Sequence, residues 1–420
     1  MSSQKKQWGA ICVMIALFAM IAFVTNLCSP MAIIVKNDFG ASNVLAQIGN
    51  YGNFIAYLVM GIPAGMIIAK IGYKKTALLG LVIGIIGILV QWASGHVGKE
   101  AAFAVYLIGA FISGFTMCIL NCVVNPMLNL LGGGGNKGNQ LIQIGGVFNS
   151  SAAVAVYIIM GALIGDAAKA HIADATPALM IALGIFVLAF IVIFFTKIEE
   201  PEQAPVDVAL IKGALGYRHF VLGILGIFLY MGIEVGVPTY ILQYLVSTGM
   251  DAATVGLIVA VYWLMMLVGR FVGGAIGGKV SSRTQITVVS TLTLILVLFG
   301  MYAPADTTVS VPAIDWATHS FGTETVPVGI FAFLLVGLCT SVMWGGIFNM
   351  AVEGLGKYTA VASGIFMTMV FGCAVMVALQ GWVADLTDYM TSYWVVIFCA
   401  AYILFYALIG SRVSKRADEK

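Results

Sequence analysis

Charge is what this chain has least of: Asp, Glu, Lys and Arg make up 9% of its 420 residues, where ordinary soluble domains carry roughly 25%. That excludes a water-exposed globular surface over most of the sequence. Histidine is nearly as sparse. Its four copies, His96, His171, His219 and His319, fall in loops or at the ends of apolar runs, so a histidine metal centre or proton relay is not expected. The seven cysteines, at 12, 28, 118, 122, 339, 373 and 399, form no CxxC pair and sit inside apolar runs. They read as small buried hydrophobes rather than disulfides or metal ligands. A net charge of +2, with no basic–aromatic cluster, excludes a nucleic-acid surface. No small-residue cleavage site follows the first apolar run, which reads as a retained helix and not a signal peptide.

Hydrophobicity is what the chain has instead: 61% of residues are apolar and the mean hydropathy is +1.04. A helical span needs about 20 mostly apolar residues, whereas a membrane β-barrel alternates in short strands. Runs of span length fall at 9–35, 46–69, 76–95, 101–131, 140–166 and 177–196. Six more follow at 219–247, 252–277, 285–303, 326–350, 358–384 and 391–411. The expected fold class is an all-α integral membrane protein with twelve transmembrane helices.

Basic residues fix the direction. With the N-terminus inside, sixteen of them occupy inner segments: Lys5, Lys6, Lys70, Lys74, Lys75, Lys137, Lys197, Lys212, Arg218, Lys279, Arg283, Lys357, Arg412, Lys415, Arg416 and Lys420. Outer segments hold three, Lys36, Lys99 and Lys169, and Arg270 lies within span eight. Lys and Arg concentrate on the cytoplasmic side, so both termini are expected there, in a cytoplasmic (inner) membrane.

One short pattern occurs twice. Gly65-Met-Ile-Ile-Ala-Lys70, followed by Lys74-Lys75, is matched by Gly274-Ala-Ile-Gly-Gly-Lys279, followed by Arg283. Gly65 to Gly274 and Lys70 to Lys279 are each 209 residues apart, half of the chain. Two related six-helix bundles are implied: 1–196 and 219–420, joined by a polar, proline-bearing cytoplasmic linker at 197–218. Duplicated halves are how many carriers place one solute site between two alternating units, so a transporter is the first expectation. Residues 303–325 read as a long outer loop without helical periodicity. The Gly132–Gly135 run near Lys137 lacks the Gly-Lys-Ser/Thr ending of a phosphate cradle and reads as a flexible inner loop. Gly80, Gly84 and Gly87 suit close helix packing, and Pro30, Pro63, Pro126 and Pro238 suit kinks inside spans.

Polar groups at membrane depth are costly and seldom idle. Glu234 in span seven is the one carboxylate near the middle of a span. A buried carboxyl there can carry a proton, help to coordinate sodium, or accept hydrogen bonds from a hydroxylated solute. Asn26, Asn121, Asn125, Asn149, Gln243, Asn349 and Gln380 form a second set, expected to share a solute cavity. Trp263 and Tyr262 in span eight, with Trp344 in span ten, suit an aromatic wall for a sugar ring. Trp8, Trp92 and Trp394 suit interfacial anchoring. Arg270 is expected to be structural, pairing with an acid or carbonyls near the inner gate. Gly65, Lys74, Lys75 and Gly274 join it as gating or structural residues.

These residues resemble the major facilitator superfamily, and within it the fucose/glucose–galactose permease group of hexose–cation symporters. In the second half the likeness rests on Tyr230-Met-Gly-Ile-Glu234-Val and Tyr262-Trp263 with Gly269-Arg270-Phe271. It continues in Ile347-Phe348-Asn349 through Gly354-Leu-Gly356, Ala362-Ser363-Gly364, and Gln380-Gly381-Trp-Val-Ala384-Asp385. In the first half it rests on Pro63-Ala64-Gly65, Ile71-Gly72-Tyr73-Lys74-Lys75, Asn125-Pro126 and Phe148-Asn149-Ser150. The resemblance implies two six-helix bundles around a central site. It implies Asn149 as a sugar contact, Glu234 as the acid of the glucose–galactose branch, and Trp263 and Gln380 at positions of the second-half pattern. Four places depart from the family, one of them Leu141-Ile-Gln143-Ile-Gly-Gly146, which stands where fucose-type permeases carry Arg-Leu-Asn-Leu-Ala-Gln before Phe-Asn-Ser. Asn26 and Asn121 stand where fucose-type permeases carry acidic or glutamine side chains, and Ala69 stands where most of the superfamily has aspartate. Asparagine does not titrate, so the usual first-half proton switch is missing.

The expectation is a secondary active transporter, most simply a monomer, that moves a sugar or sugar derivative by alternating access and is coupled through Glu234 to H+ or Na+. No cofactor or metal is expected beyond that cation. An uncoupled facilitator, or a symporter of a nucleoside or amino sugar, is the alternative; a non-transporting solute sensor ranks lower. A membrane enzyme would need a reactive cluster near an interface, and the sequence offers none.

Overall fold

The computed structural model describes residues 7–39, 43–164, 172–200, 209–250, 252–315 and 320–413. Lys5, Lys6, Lys169, His171, linker positions 201–208, His319, Lys415, Arg416 and Lys420 lie outside the described residues, as do the side chains of Cys28, Pro30, Lys36 and Lys99.

In hydrocarbon every backbone polar group needs a partner within the protein, so a long apolar run becomes a helix. The first half is built from α1 (Trp8–Phe39), α2 (Asn43–Ile71), α3 (Tyr73–Ser94), α4 (Lys99–Leu131), α5 (Gly135–Ile164) and α6 (Thr176–Phe195). A short α7 (Ala209–Leu215) falls in the linker, followed by α8 (Arg218–Ser247), α9 (Ala252–Ile276) and α10 (Ser282–Tyr302). The last three spans are interrupted. Span ten is α11 (Val328–Thr340) plus α12 (Met343–Val352), and span eleven is α13 (Thr359–Thr368) plus α14 (Gly372–Leu386). Span twelve is α15 (Tyr389–Ser392) plus α16 (Trp394–Phe405). Among the described residues, eleven segments are long and apolar enough to cross a membrane. The 30-residue α5 is the remaining long helix and brings the arrangement to the expected twelve.

The outer loop differs from the sequence expectation. Strands β1 (Thr308–Asp315) and β2 (Ser320–Pro327) pair antiparallel, from Thr308 opposite Pro327 to Asp315 opposite Ser320. Alternation at a period of two drives this hairpin: Val311 and Val326 are fully buried while Ser310 and Thr325 are exposed. Pro312 is tolerated because a two-stranded sheet consists of edges.

The chain divides into two compact units. The first comprises Met1–Gly133, Phe148–Ala214 and Leu355–Thr368; the second comprises Gly134–Val147, Leu215–Gly354 and Met369–Lys420. Each therefore includes the leading half of one helix, α13 in the first unit and the start of α5 in the second.

Within lipid, burying apolar surface gains little, so close van der Waals contact holds helices together. In the first unit a Cβ on Gly80 would lie 2.9 Å from Ile119, on Gly84 2.9 Å from Thr116, and on Gly87 2.6 Å from Ser113. Helix α3 can lie against α4 because these positions lack side chains. The α2–α13 crossing is tighter. A Cβ on Gly65 would lie 2.9 Å from the Ala360 carbonyl, and one on Gly364 would strike the Gly61 carbonyl. In the second unit Gly273 and Gly274 of α9 rest on Val342 and Ile144, and a Cβ on Gly277 would lie 3.1 Å from Gln140 Cα. The 209-residue repeat thus returns as packing: Gly65 beside Val361 at the start of span eleven, Gly274 beside Ile144 at the start of span five.

Candidate functional site

In the second unit the site is built on α8. Glu234 lies near the middle of this 30-residue helix and is part-buried. Tyr230, one turn earlier and fully buried, has its hydroxyl beside the Glu234 carboxyl, within reach of a hydrogen bond to it. The Tyr230 hydroxyl also lies 3.4 Å from the Thr340 carbonyl, to which it donates. From α9, the Tyr262 hydroxyl meets Thr340 Oγ1 at 3.1 Å. Aromatic rings wall the same region: Tyr230 is edge-on to Trp344 at 6.3 Å, and Tyr262 is edge-on to Trp263 at 5.3 Å.

Arg270 supplies the opposite charge. Two turns beyond Tyr262 on α9, it is buried, attracts the Glu234 carboxyl, and donates Nη1 to the Gly146 carbonyl at 3.0 Å. A guanidinium is always charged, so it offsets an ionised Glu234 and persists when that carboxyl is neutral.

Other second-unit candidates lie elsewhere on the same helices. Gln243 is exposed, well beyond Glu234 on α8. Asn349 donates to Ser282 Oγ at 2.9 Å, beside the start of α10. Gln380 is buried against Gly236, with Nε2 3.5 Å from Ser392 Oγ. Trp263 is part-buried.

The first unit gathers its asparagines into two groups. Asn121 donates to the Tyr57 hydroxyl at 2.7 Å and to the Met117 carbonyl at 3.1 Å. Asn125 donates in turn to the Asn121 carbonyl at 2.9 Å and to its side-chain oxygen at 3.3 Å. Both amides are buried, and burying an amide is tolerable once it is bonded. The second group bonds to α1: Asn26 of α1 donates to the Ala22 carbonyl and Asn149 of α5 to the Phe18 carbonyl, each at 2.8 Å. One helical turn separates those two acceptors.

The loop-motif residues hold helix ends. Gly72 has φ of 88°, a region that favours glycine. Lys74 Nζ donates to the carbonyls of Phe194 at 3.0 Å and Thr196 at 2.8 Å, closing the end of α6. Lys75 is exposed.

Three polar side chains of these groups have no role in the sequence reading: Tyr57, Thr340 and, as a partner of Glu234, Tyr230. Tyr230 was open to inference, because residues four apart share a helix face. Tyr57 and Thr340 carry no such signal. Among the described residues no group of three or more His, Cys, Asp or Glu is placed to hold a metal ion. The six described cysteines are free thiols.

Among the described residues, eleven apolar spans with α5, in two glycine-packed units and with a carboxyl held at mid-span, define a multi-span membrane transporter. The chain belongs to the Major Facilitator Superfamily, whose sequence model matches residues 13–379. It is 29% identical to a glucose/galactose transporter of Brucella abortus, across 98% of this chain and 96% of that protein. It is 20% identical to the L-fucose-proton symporter of Escherichia coli, across 95% and 92% of the two chains. In three dimensions it is similar to the crystal structure of the E. coli fucose:proton symporter, with a TM-score of 0.81 at 19% identity, covering 97% of this chain and all of that one.

Proposed function

We propose that this chain moves a hexose-like solute across the cytoplasmic membrane by alternating access, with Glu234 carrying the coupling cation, H+ or Na+. The observation that carries this reading is the Glu234 carboxyl at mid-helix, with the Tyr230 hydroxyl beside it, offset by Arg270 and walled by aromatic rings. Hydroxyls and ring faces beside a carboxyl suit a solute rich in OH groups. The names of the relatives, glucose/galactose transporter and L-fucose-proton symporter, support the same solute class and a cation partner. Halves 1–196 and 219–420, joined through 197–218, act as the alternating elements, and both termini face the cytoplasm, in a monomer.

Solute contacts are assigned to Asn26, Asn121, Asn125 and Asn149 in the first half, and to Gln243, Trp263, Asn349 and Gln380 in the second. Tyr57 joins them, because it accepts from Asn121 and keeps its own O–H for a solute. Asn349 and Gln380 would have to release Ser282 and Ser392 to take part. Gly65, Lys74, Lys75, Arg270 and Gly274 hold the helix crossings and ends on which gating depends.

The test is uptake of labelled glucose, galactose and L-fucose into proteoliposomes under a pH gradient, a sodium gradient, or neither. Accumulation above equilibrium under one gradient is expected. Equilibration that ignores both gradients removes the coupling and leaves a facilitator, the reading that the non-titrating Asn26 and Asn121 favour. No flux of any of the three sugars removes the solute class.

A further inference from the structure

The tenth span is interrupted at membrane depth, between Thr340 at the end of α11 and Met343 at the start of α12. Carbonyls at a helix end need partners beyond the regular ladder, and here side chains join the backbone in supplying them. The Thr340 carbonyl has the Tyr230 hydroxyl at 3.4 Å, and the Thr340 hydroxyl has that of Tyr262 at 3.1 Å. Two residues on, the Val342 carbonyl accepts Gln143 Nε2 at 3.1 Å beside the Gly346 N–H, also at 3.1 Å. Gln143 belongs to the leading part of α5, up to Val147, that packs in the second unit.

A phenol carries a single proton and donates to one acceptor at a time. Two acceptors face Tyr230: the Glu234 carboxyl and the Thr340 carbonyl. When Glu234 is ionised the phenol donates to it, because a charge-assisted bond is roughly twice as strong as a neutral one. When Glu234 binds a proton, its new O–H donates to the phenol oxygen, and the phenol proton turns to Thr340. One proton is gained at Glu234, one hydrogen bond reverses, and no covalent bond of Tyr230 changes.

The other groups facing Glu234 lack this choice. Among the described residues, Arg270 and Tyr262 on α9 and Cys373 on α14 are its other charged or titratable neighbours. Arg270 keeps its charge throughout, and Tyr262 is engaged by the Thr340 hydroxyl. Cys373 is a buried free thiol, a weak donor.

We propose that Tyr230 is a positioning residue that reports the protonation of Glu234 to the interrupted turn Thr340–Val342, and through Gln143 to the leading half of α5. The inference rests on the reading of Glu234 as the proton-carrying group. It gives the broken span a purpose beyond packing: the turn ties the coupling carboxyl to a segment of another helix.

The experiment compares Glu234→Gln, Tyr230→Phe and Tyr262→Phe with the unaltered protein in proteoliposomes. It reads gradient-driven sugar accumulation, gradient-free exchange, and the dependence of exchange on pH. Phenylalanine keeps the ring against Trp344 and removes only the hydroxyl. Tyr230→Phe is expected to keep exchange within about twofold and to lose at least about tenfold in accumulation, equivalent to about 1.4 kcal/mol of coupling. Its exchange should respond less to pH than that of Tyr262→Phe. Accumulation by Tyr230→Phe at the unaltered level overturns the proposal, and so does a parallel loss of exchange and accumulation, which marks packing alone. Normal accumulation by Glu234→Gln fells the functional reading itself, whereas its loss beside an intact Tyr230→Phe fells only this inference. If Tyr230→Phe does not fold, Gln143→Leu cuts the far end of the same chain of bonds, and unaltered coupling there is equally fatal.

Discussion

The carboxylate of Glu200 closes the first turn of α3: its Oε2 accepts the backbone N–H of Tyr73 at 2.7 Å, and its Oε1 that of Lys74 at 2.8 Å. The leading N–H groups of a helix have no partner within it, and the helix dipole places positive charge there. A side chain at Gly72 would strike this carboxylate, so the glycine is required by its neighbour as well as by its backbone angle. Replacing Glu200 with Ala should cost about 1–2 kcal/mol. Thermal unfolding in detergent checks this, and an unchanged Tm would show that the cap contributes nothing.

Gly364 and Gly184 should respond in opposite ways. A side chain at Gly364 meets the backbone of Gly61 and Gly65, while nothing lies within 4 Å of a Cβ at Gly184. Gly364→Val should lower stability by about 1–3 kcal/mol or prevent assembly. Gly184→Ala in α6 should be neutral or stabilising by up to about 1 kcal/mol. Equal melting temperatures for the two variants would contradict the crossing described for α2 and α13.

The sequence made the scaffold legible because hydrocarbon permits so few answers. Apolar runs become helices, and the glycines of α3 and of the repeated motif mark close crossings. The hairpin at 308–327 escaped because its alternation was short and was interrupted by Pro312. The interruption in span ten escaped because Val328–Val352 reads as one continuous apolar run; nothing local announces a break that tertiary hydrogen bonds sustain. Glu234 was legible from its charge alone. Its attachment to Thr340 through Tyr230 was not, because 110 residues separate the tyrosine from that acceptor.

Tyr57 offers a test of the first-half site. Its hydroxyl accepts from Asn121 at 2.7 Å, and the proposed solute takes its remaining proton. Losing one hydrogen bond of about 1 kcal/mol should raise the half-saturation concentration of Tyr57→Phe about fivefold. Initial rates of uptake against sugar concentration measure this. An unaltered value would remove Tyr57 from the solute's surroundings.

Asp388, outside the spans, gives a pH dependence with a defined sign. It caps α15, accepting the Thr391 N–H at 2.9 Å and the Thr391 hydroxyl at 2.6 Å. Those two donors hold its carboxyl below the usual carboxylate range. A lowered folded-state value gives stability that is present above the ordinary carboxylate pKa of about 3.9 and lost as pH falls through the folded value. The site is exposed, so solvent screening leaves a few tenths of a kcal/mol. Asp388→Asn should melt slightly earlier than the unaltered protein at pH 7, and the gap should close in strong acid. A gap that widens on acidification would reverse the assignment.

Helices α5 and α13/α14 each leave one compact unit and enter the other partway along their length, at Val147–Phe148 and at Thr368–Met369. In α5 the pair Gly145–Gly146 stands immediately before the crossing, and in the other a single turn of tighter helix, Met369–Phe371, stands immediately after it. Glycines and a tighter turn make these short stretches the most pliable parts of either span. Stiffening them with alanine or leucine would burden transport even though neither stretch need ever touch a solute.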